Sequence, residues 1–405
     1  MTTTAARLGG GTPVIRRMPG VRLVVFSLIG IALYFLLLSQ FMSQATAAQQ
    51  VANALTLGAI YALIALGYTM VYGIIELINF AHGDVFMVGA FMSMVALSGG
   101  LDWTTQFGPL GFVLLALLAI GIGLALSRGL GTKRPVYILL GVLLGAATVI
   151  ALEFGLGGTS AVLEPTRLIG MLGIAFVVSM VTMGTLNVTI ERFAYRPLRH
   201  APRLAPLITA IGVSFILQNV VQIWQGTGDR GSPQVYQTRG SSFELMGAQI
   251  GYVNLLIIVV SLVLMIGLQL FVSRTRLGRA MRSTAQDQQA AQLMGVDLNQ
   301  TIAITFLLGG ALAGAAGVFQ GLYFGFVRFD LGFNAGLKAF TAAVLGGIGN
   351  LTGALLGGFL IGFVENFAAA MGQQRWSHAI VFVVLIVVLV FRPAGILGQQ
   401  IGERA

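Results

Sequence analysis

Apolar runs of about 20 residues recur along almost the whole chain, and each is long enough to cross the ~30 Å hydrocarbon core of a bilayer as an α-helix. Hydrophobic residues make up 57% of the sequence and charged residues only 9%, with a mean hydropathy of +0.90. Lipid offers the backbone no hydrogen-bond partners, so such runs are expected to be helices that satisfy their own polar groups. The sequence therefore predicts an all-α, polytopic membrane helix bundle with roughly 10–12 spans, some of them re-entrant or broken.

The runs predict a single transmembrane domain over residues 23–398, between tails at 1–22 and 399–405. Its first run, 23–42, is expected to be a retained span, because the apolar core of a signal peptide is shorter, at ~7–15 residues. Cleavage after Ala45-Thr46-Ala47 is the alternative. The other predicted spans lie at about 51–73, 85–97, 109–126, 136–152, 168–190, 204–224, 250–272, 302–324, 336–344, 351–370 and 378–391.

Positive charges are concentrated in alternate loops. If the amino terminus faces the cytoplasm and each run crosses once, with 336–349 counted as one partial crossing, 17 of the 23 Lys and Arg residues fall on the cytoplasmic side. This agrees with the positive-inside tendency of membrane proteins. The same tendency accounts for the net charge of +10 without a nucleic-acid partner. The polar segment 274–301 is then expected in the cytoplasm and the segment 225–249 outside.

A polar stretch at residues 76–84 interrupts the apolar pattern between two predicted spans. Asn79, His82 and Asp84 lie within six residues of one another there, and no basic loop separates the flanking runs. Polar groups at membrane depth need partners inside the protein or a water-filled cavity. The stretch is therefore predicted to be a broken or re-entrant element, with these three residues as candidates for a substrate path. A capped helix break is the alternative.

Motifs for enzymatic chemistry are missing from the sequence. It has no cysteine, no Gly-x4-Gly-Lys-Ser/Thr nucleotide loop and no serine elbow, and its three histidines lack metal-site spacing. We therefore expect no metal site, no cofactor and no enzymatic activity. Among the acids near apolar runs, Glu153 and Glu365 are expected to be charges at span ends. Glu76 or Asp84 would be required by a proton-coupled carrier.

The longest strongly polar interruption is the segment 274–301, which is basic in its first half and rich in glutamine in its second. Residues 285–294 are predicted to form a short helix with Ala290, Ala291 and Met294 on or near one face and glutamines on the other. Gly295 is expected to end that helix, since glycine tolerates the left-handed conformation. A membrane protein with this segment but no nucleotide site is expected to obtain its energy from a partner that binds here.

Several stretches resemble one known family. Gln289-Ala-Ala-x-x-x-Gly295 is similar to the Glu-Ala-Ala-x3-Gly loop of ATP-binding cassette (ABC) transporter permeases, with Gln289 in place of the glutamate. Longer stretches resemble the LivH-type permease of branched-chain amino-acid ABC importers: Asn53-Ala-Leu-Thr-Leu-Gly-Ala-Ile-Tyr61, Ile78-Asn-Phe-Ala-His-Gly-Asp84, Arg203-Leu-Ala-Pro-Leu-Ile-Thr-Ala-Ile-Gly212 and Lys338-Ala-Phe-Thr-Ala-Ala-Val-Leu-Gly-Gly-Ile-Gly349. The likeness covers about 50–98 and 180–398. The first span at 23–42 and the insertion at 108–166 depart from the usual, shorter family member.

The resemblance implies an importer permease in the bacterial inner membrane, with its amino terminus in the cytoplasm. It would work with a homologous second permease, two cytoplasmic ATPase subunits and a periplasmic amino-acid-binding protein. It would contact membrane lipid but no nucleic acid. Branched-chain or related hydrophobic amino acids would enter the cytoplasm by alternating access. A urea or short-amide permease is the nearest alternative, and a proton-coupled secondary transporter is a further one.

The coupling site implied by the resemblance is the helix that contains Gln289, Ala290 and Ala291 and ends at Gly295. It would dock in a groove of the ATPase subunit and act as a lever on the transmembrane helices.

The substrate path is expected to have apolar walls that suit the side chains of Leu, Ile and Val. Asn79 and His82, with backbone freed around Gly346, Gly347 and Gly349, would handle the two charges of a zwitterionic amino acid in transit. Close helix crossing is the alternative role of this glycine cluster.

Overall fold

The computed structural model describes residues 19–97, 165–199, 201–202, 204–231, 242–245 and 247–398. The predicted tails, apart from 19–22, and almost all of the insertion at 108–166 lie outside the described residues. So do the runs predicted at 109–126 and 136–152. Seven of the described helices are long and apolar enough to cross a membrane. The prediction of an all-α, polytopic membrane bundle is confirmed.

Each predicted apolar run within the described residues coincides with a helix. A π-helical turn at Glu191–Tyr195 and 3-10 turns at Arg196–Leu198 and Gln374–Trp376 accompany the α-helices. The α-helices in this part of the chain are α1 (Pro19–Ser39), α2 (Gln44–Ile75), α3 (Ala81–Leu97), α4 (Pro165–Ile190), α5 (Leu204–Gln225), α6 (Tyr252–Arg274), α7 (Arg276–Gln286), α8 (Gln288–Leu293), α9 (Leu298–Phe324), α10 (Leu331–Gly346), α11 (Leu351–Ala370) and α12 (Ser377–Phe391).

Polar side chains and glycine mark where several of these helices begin and end. Ser43 precedes α2, and its hydroxyl accepts a hydrogen bond from the amide of Thr46. Asn350 precedes α11, and its side-chain oxygen accepts a hydrogen bond from the amide of Gly353 at 3.1 Å. Such caps satisfy amides that have no partner inside the helix. Gly325 follows α9 with φ of 75°, a left-handed conformation that glycine adopts at no steric cost.

The central helix of the bundle is α2. It packs most extensively against α11 and also contacts α9 and α10, and every residue from 56 to 71 is buried. α9 lies between α2, α3 and α4. In contrast, α5, α6 and α12 expose large apolar side chains such as Phe215, Val263 and Val390. Apolar surface of this kind is expected to face lipid or another membrane subunit.

Glycines allow the central helices to approach at backbone distance. A Cβ atom added to Gly310 of α9 would lie 2.3 Å from the carbonyl oxygen of Met183 in α4. A Cβ at Gly358 of α11 would lie 2.4 Å from the Cα of Ala62 in α2. Neither position has room for a larger residue. Glycine thus allows close helix packing at the centre of this bundle.

Helix α3 begins inside the bundle, well before the level at which α2 ends. His82, in its first turn, lies against Gly67, which is eight residues before the end of α2. At a rise of 1.5 Å per residue, this contact is about 12 Å from that helix end. The chain between α2 and α3, residues 76–80, is not helical. The predicted broken element at 76–84 is therefore present.

A second helix, α10, begins at the same depth. Gly83 of α3 lies against Gly332 and Gly336 of α10, and a Cβ at Gly83 would be 2.3 Å from the Gly332 carbonyl oxygen. Non-helical residues 325–330 precede α10. The amino-terminal ends of two discontinuous helices thus meet inside the bundle, an arrangement that transporters use to build binding sites near the bilayer midplane.

Short strands join loops at the end of the bundle opposite α7 and α8. β1 (Arg230–Gly231) pairs antiparallel with β4 (Phe326–Val327), and β2 (Ser242–Leu245) pairs with β3 (Ala248–Gly251). Because α9 starts just after α8 and ends just before β4, the β1–β4 pair and α8 lie at opposite ends of α9. We refer to the end that carries α7 and α8 as the loop end.

Replacement of Gly310 by alanine should destabilise the protein, because the added Cβ meets the backbone of α4. We expect a loss of about 1–3 kcal/mol, as for other overpacked cores. Gly212→Ala is the matched control, since nothing lies within 4 Å of that position in α5. It should be neutral or stabilising by up to about 1 kcal/mol. Thermal unfolding of both purified variants measures the difference, and equal effects would contradict the packing described here.

Candidate functional site

The three polar residues that the sequence singles out lie in the break between α2 and α3 or in the first turn of α3. Glu76 ends α2 in the left-handed region with φ of 52°, and its amide donates to the carbonyl of Tyr72. It is the only residue other than glycine with positive φ among those described. Asn79, His82 and Asp84 follow it and are all buried.

Asp84, in the first turn of α3, is held by two side chains of α5. The hydroxyl of Ser214 donates a hydrogen bond to one carboxylate oxygen. The amide nitrogen of Gln218 donates to the other carboxylate oxygen at 3.1 Å. A negative charge is also favoured at the amino-terminal end of a helix. These partners allow a buried acid to lie in an otherwise apolar region.

Asn79 and His82 contact different elements from those around Asp84. The hydroxyl of Tyr195, in the π-helical turn, donates to Asn79 Oδ1 at 2.6 Å, while Asn79 Nδ2 has no hydrogen-bond partner within the described residues. The ring of His82 packs edge-on against Tyr68, with 4.8 Å between ring centroids. The three predicted residues therefore lie in or just after one helix break, but they do not converge on a single point.

A small, predominantly apolar cleft opens beside this break, between α2 and α10. One of its aromatic walls, Tyr68, also contacts His82. Another, Phe340, packs against Phe80 of the break with 6.0 Å between ring centroids. An apolar group in the cleft would therefore lie next to the polar residues of the break. The cleft is lined by Tyr68, Thr69, Tyr72, Ile78, Phe340, Ala343, Val344 and Ile348.

The predicted glycine cluster is a helix break held by backbone contacts. Gly347 and Gly349 have φ of 107° and 86°, in the left-handed region that favours glycine. A Cβ at Gly346 would lie 2.0 Å from the carbonyl oxygen of Gly353. The amide of Leu397 donates to the Gly346 carbonyl at 3.0 Å. Gly346 and Gly347 are thus engaged in packing α10 against α11 and the carboxy-terminal segment.

The polar segment 274–301 forms two helices, α7 and α8, followed by the start of α9. Asp287 separates the first two, and its carboxylate accepts hydrogen bonds from the amides of Gln289 and Ala290 at 2.9 and 3.0 Å. This cap starts a new helix at Gln288, so the helix predicted at 285–294 begins later than expected. Gly295 follows α8 with φ of 86°, the conformation expected at that position.

Most of α8 is open to solvent. Ala291 is the exception, since only 3% of its surface is exposed. Leu293 and Met294 are 88% and 85% exposed, although both are large and apolar. Exposed apolar side chains on a polar segment indicate a surface that binds another protein. We refer to Gln289, Ala290, Leu293 and Met294 as the docking surface.

A side chain next to the docking surface contacts the end of α2 directly. The amide nitrogen of Gln288, the first residue of α8, donates to the backbone carbonyl of Ile74 at 2.8 Å. Ile74 lies in the last turn of α2, two residues before the left-handed Glu76 and two residues after Tyr72 in the cleft. A displacement of α8 would therefore act on the end of α2.

A second connection between the loop end and the helix break runs through the π-helical turn. The guanidinium of Arg199 donates to Asn299 Oδ1 at the start of α9 at 2.8 Å, and it pairs with the buried carboxylate of Glu191. Arg196 also pairs with Glu191, at 2.9 Å. Partial burial lowers the pKa of Arg199, and the Glu191 carboxylate opposes that shift. Tyr195 belongs to the same turn, so this cluster connects the loop end to Asn79.

A buried ion pair lies between α10 and α11, and the sequence did not indicate it. Lys338 Nζ is 2.6 Å from Glu365 Oε1, with side chains 7% and 17% exposed. The hydroxyl of Tyr61, in α2, donates to Glu365 Oε2 at 2.8 Å. In the sequence, Lys338 stands out only as part of the stretch 338–349 that resembles the permease family, and Glu365 only as an expected charge at a span end. Their pairing depends on the packing of α10 against α11.

Known proteins resemble the chain over most of its length. Residues 50–389 match the family described as branched-chain amino acid transport system / permease component. The high-affinity branched-chain amino acid transport system permease protein BraD of Pseudomonas aeruginosa is 39% identical over 359 residues, which cover 88% of this chain and 97% of that protein. The corresponding LivH proteins of Salmonella typhimurium and Escherichia coli are 36% and 37% identical, with the same coverage.

Replacement of Tyr195 by phenylalanine should destabilise the protein by about 1–3 kcal/mol, because it leaves the buried Oδ1 of Asn79 without its donor. Tyr252→Phe is the matched control, since Tyr252 is 52% exposed. Its effect should stay within about 0.5 kcal/mol. Unfolding of the purified variants in detergent measures both values. A loss at Tyr195 no larger than that of the control would contradict the role assigned to this hydrogen bond.

Proposed function

This chain belongs to the family of branched-chain amino acid transport system permease components, and on that basis we propose that it imports branched-chain or related hydrophobic amino acids by ATP-driven alternating access. The chain is a multi-pass membrane permease of a transport system and not an enzyme. It therefore works with other components of that system, and separate ATPase subunits would supply the energy.

The proposed partners are a homologous second permease, two cytoplasmic ATPase subunits and a periplasmic amino-acid-binding protein. The proposed location is the bacterial inner membrane, with the amino terminus in the cytoplasm. The clustering of basic residues supports this orientation, because the loop end carries both the 192–203 and the 274–282 groups. The apolar faces of α5, α6 and α12 are available to the second permease as well as to lipid.

The observation that carries the proposal is that α8 and its end combine exposed apolar side chains with a hydrogen bond to α2. Leu293 and Met294 are almost fully exposed, as expected of residues that enter a groove on an ATPase subunit. Gln288, on the same short helix, is hydrogen-bonded to α2. Docking is therefore proposed to use Gln289, Ala290, Leu293 and Met294, while the buried Ala291 holds α8 in place.

Gly295 has a different proposed role from the docking residues. Its left-handed conformation reverses the chain after α8, and nothing lies within 4 Å of the position that a Cβ would occupy. A side chain at this position would strain the backbone rather than collide with a neighbour. Gly295 is thus proposed to set the orientation of α8.

The substrate path is proposed to run past the break between α2 and α3. The cleft beside it has mostly apolar walls, and the starts of α3 and α10 meet at this depth. Helix starts favour negative groups such as a carboxylate. Asn79, His82 and Asp84 would contribute polar groups in states where the break opens. Backbone groups around Gly346, Gly347 and Gly349 would contribute further polar contacts at the far end of α10.

Movement of α8 would reach this path at two points. The Gln288 contact acts on the end of α2, which carries Tyr72 of the cleft. The Arg199 contact acts on the turn that holds Tyr195 and thereby Asn79. Two arrangements of the break, each favoured by one state of the ATPase, are sufficient for alternating access.

Replacement of Leu293 or Met294 by aspartate should reduce ATP-dependent uptake at least tenfold, because a charge would replace an apolar contact with the ATPase. Uptake is measured in proteoliposomes that contain the permeases, the ATPases and the binding protein. The amount of ATPase that co-purifies with the permease should fall in parallel.

Leu245→Asp provides the control for this change. Leu245 is 50% exposed in the strand pair β2–β3, away from the loop end. Its replacement should leave ATPase binding unchanged. Normal uptake in both docking-surface variants, with normal levels in the membrane, would exclude α8 as the ATPase contact.

The solute and the energy source can be tested with the wild-type transporter. Uptake of leucine should require ATP inside the cytoplasmic compartment and should persist when a protonophore removes the proton gradient. An excess of isoleucine or valine should compete with leucine, and an excess of urea or acetamide should not. Competition by urea would favour the amide permease alternative. Uptake by this chain alone without ATP would favour a secondary transporter.

A further inference from the structure

We propose that Lys338 and Glu365 form a binding site for the charged groups of a zwitterionic α-amino acid during transport. In this site the substrate carboxylate pairs with Lys338 and the substrate ammonium pairs with Glu365. The ion pair between the two residues is thereby replaced by two ion pairs with the substrate. The inference rests on the proposed amino-acid import. It adds the residues that distinguish a zwitterion from a neutral amide.

The two charges lie where stability alone does not require them. Lys338 is near the middle of α10 and Glu365 is in the last third of α11, and both are surrounded by apolar helices. Removing two charges from water costs free energy that their mutual attraction often fails to return. Apolar residues of similar size would hold these helices together at least as well. A charged pair at membrane depth therefore indicates a functional site.

The pair is not closed off from its surroundings. The side chain of Glu365 is 17% exposed, compared with 7% for Lys338. Asn334, one turn before Lys338 in α10, is exposed together with its neighbour Phe333. A polar side chain exposed on a helix within the bundle favours a water-accessible path over lipid at this face. A small solute in that path would reach the pair beside Asn334.

Aromatic groups surround the pair on two sides. The hydroxyl of Tyr61 contacts both charges, at 2.8 Å from Glu365 Oε2 and 3.4 Å from Lys338 Nζ, and Lys338 Nζ lies 5.7 Å from the centre of its ring. Tyr323 and His378 also lie in the neighbourhood of Glu365. When the pair separates, the Tyr61 hydroxyl can still donate a hydrogen bond to the Glu365 carboxylate, and the Tyr61 ring can stabilise the Lys338 ammonium.

The exchange keeps every charge paired. A zwitterion brings one carboxylate and one ammonium group, so Lys338 and Glu365 can separate without leaving an unpaired charge in the bundle. Urea or a short amide brings no charge and cannot replace either partner. The site therefore selects for zwitterions by the cost of an unpaired buried charge.

The first test removes both charges at similar size, in the double variant Lys338→Met with Glu365→Gln. It should reach the membrane at the wild-type level with an unchanged or higher thermal midpoint, because neither charge is left alone. ATP-driven leucine uptake in the complete transporter should fall at least tenfold. Uptake within twofold of wild type would overturn the inference.

The second test exchanges the charges, in the variant Lys338→Glu with Glu365→Lys. If the pair only held α10 to α11, this exchange would restore uptake to wild-type levels. A zwitterion would have to enter reversed, with its side chain out of place, so uptake should remain at least fivefold reduced. Recovery to within twofold of wild type would overturn the inference.

The third test measures the accessibility of a residue next to the pair. The chain contains no cysteine, so Asn334→Cys introduces a unique thiol. Leucine should slow the labelling of this thiol by a methanethiosulfonate reagent at least threefold, and the double neutral variant should abolish that protection. Phe193→Cys, a position 75% exposed in the π-helical turn, is the control and should label at the same rate with or without leucine. Absence of protection at residue 334 in the otherwise wild-type chain would overturn the inference.

Leucine uptake by the wild-type and double neutral transporters distinguishes a failure of this inference from a failure of the proposed function. If the wild-type transporter moves no leucine with ATP, the proposed function fails. If the wild-type and double neutral transporters both move leucine equally well, only the role of Lys338 and Glu365 fails.

Discussion

Backbone contact at glycine is the constraint on which the rest of this bundle depends. In lipid, apolar side chains gain little from leaving the solvent, so helices associate through close packing and hydrogen bonds. Gly310 against α4 and Gly358 against α2 bring backbones to distances that exclude any side chain. The same contact between Gly83 and Gly332 holds the starts of α3 and α10 together inside the membrane. The helix breaks can therefore persist, because surrounding helices fix them from several sides.

The two broken helices give the molecule a part that can change shape. A continuous helix resists bending, but the stretch from Glu76 to Asn79 makes few of its own helical hydrogen bonds and depends on neighbours such as Tyr195. Two contacts connect this region to the loop end. Gln288 is hydrogen-bonded to the end of α2, and Arg199 of the cluster that includes Tyr195 is hydrogen-bonded to the start of α9. Binding of a partner at α8 can thus bias the break without any contact between that partner and the substrate. The buried pair of Lys338 and Glu365 adds a second region whose arrangement a charged solute would alter.

Sequence reasoning worked where structure follows from local pattern. The polar stretch at 76–84 could be identified as a helix break, and Gly295 as the residue after the end of a short helix, because a few adjacent residues decide both. It was less successful for the start of α8, where the cap by Asp287 takes precedence over helical periodicity. It also placed Ala291 with the docking residues, although its side chain faces inward. The direction of a side chain depends on helix rotation, which periodicity defines only approximately over six residues.

The sequence by itself determined that this is a polytopic helical membrane protein and which of the described segments are helices, because hydrophobic length and charge distribution act segment by segment. It also carried enough local likeness to indicate the family. Only the tertiary structure decided which polar groups meet. Asn79, His82 and Asp84 are neighbours in sequence yet contact different helices, whereas Lys338 and Glu365 are 27 residues apart and form an ion pair. The physical reason is that a buried charge is stabilised by whichever partner the packing of helices brings within reach, and that packing is a property of the whole bundle.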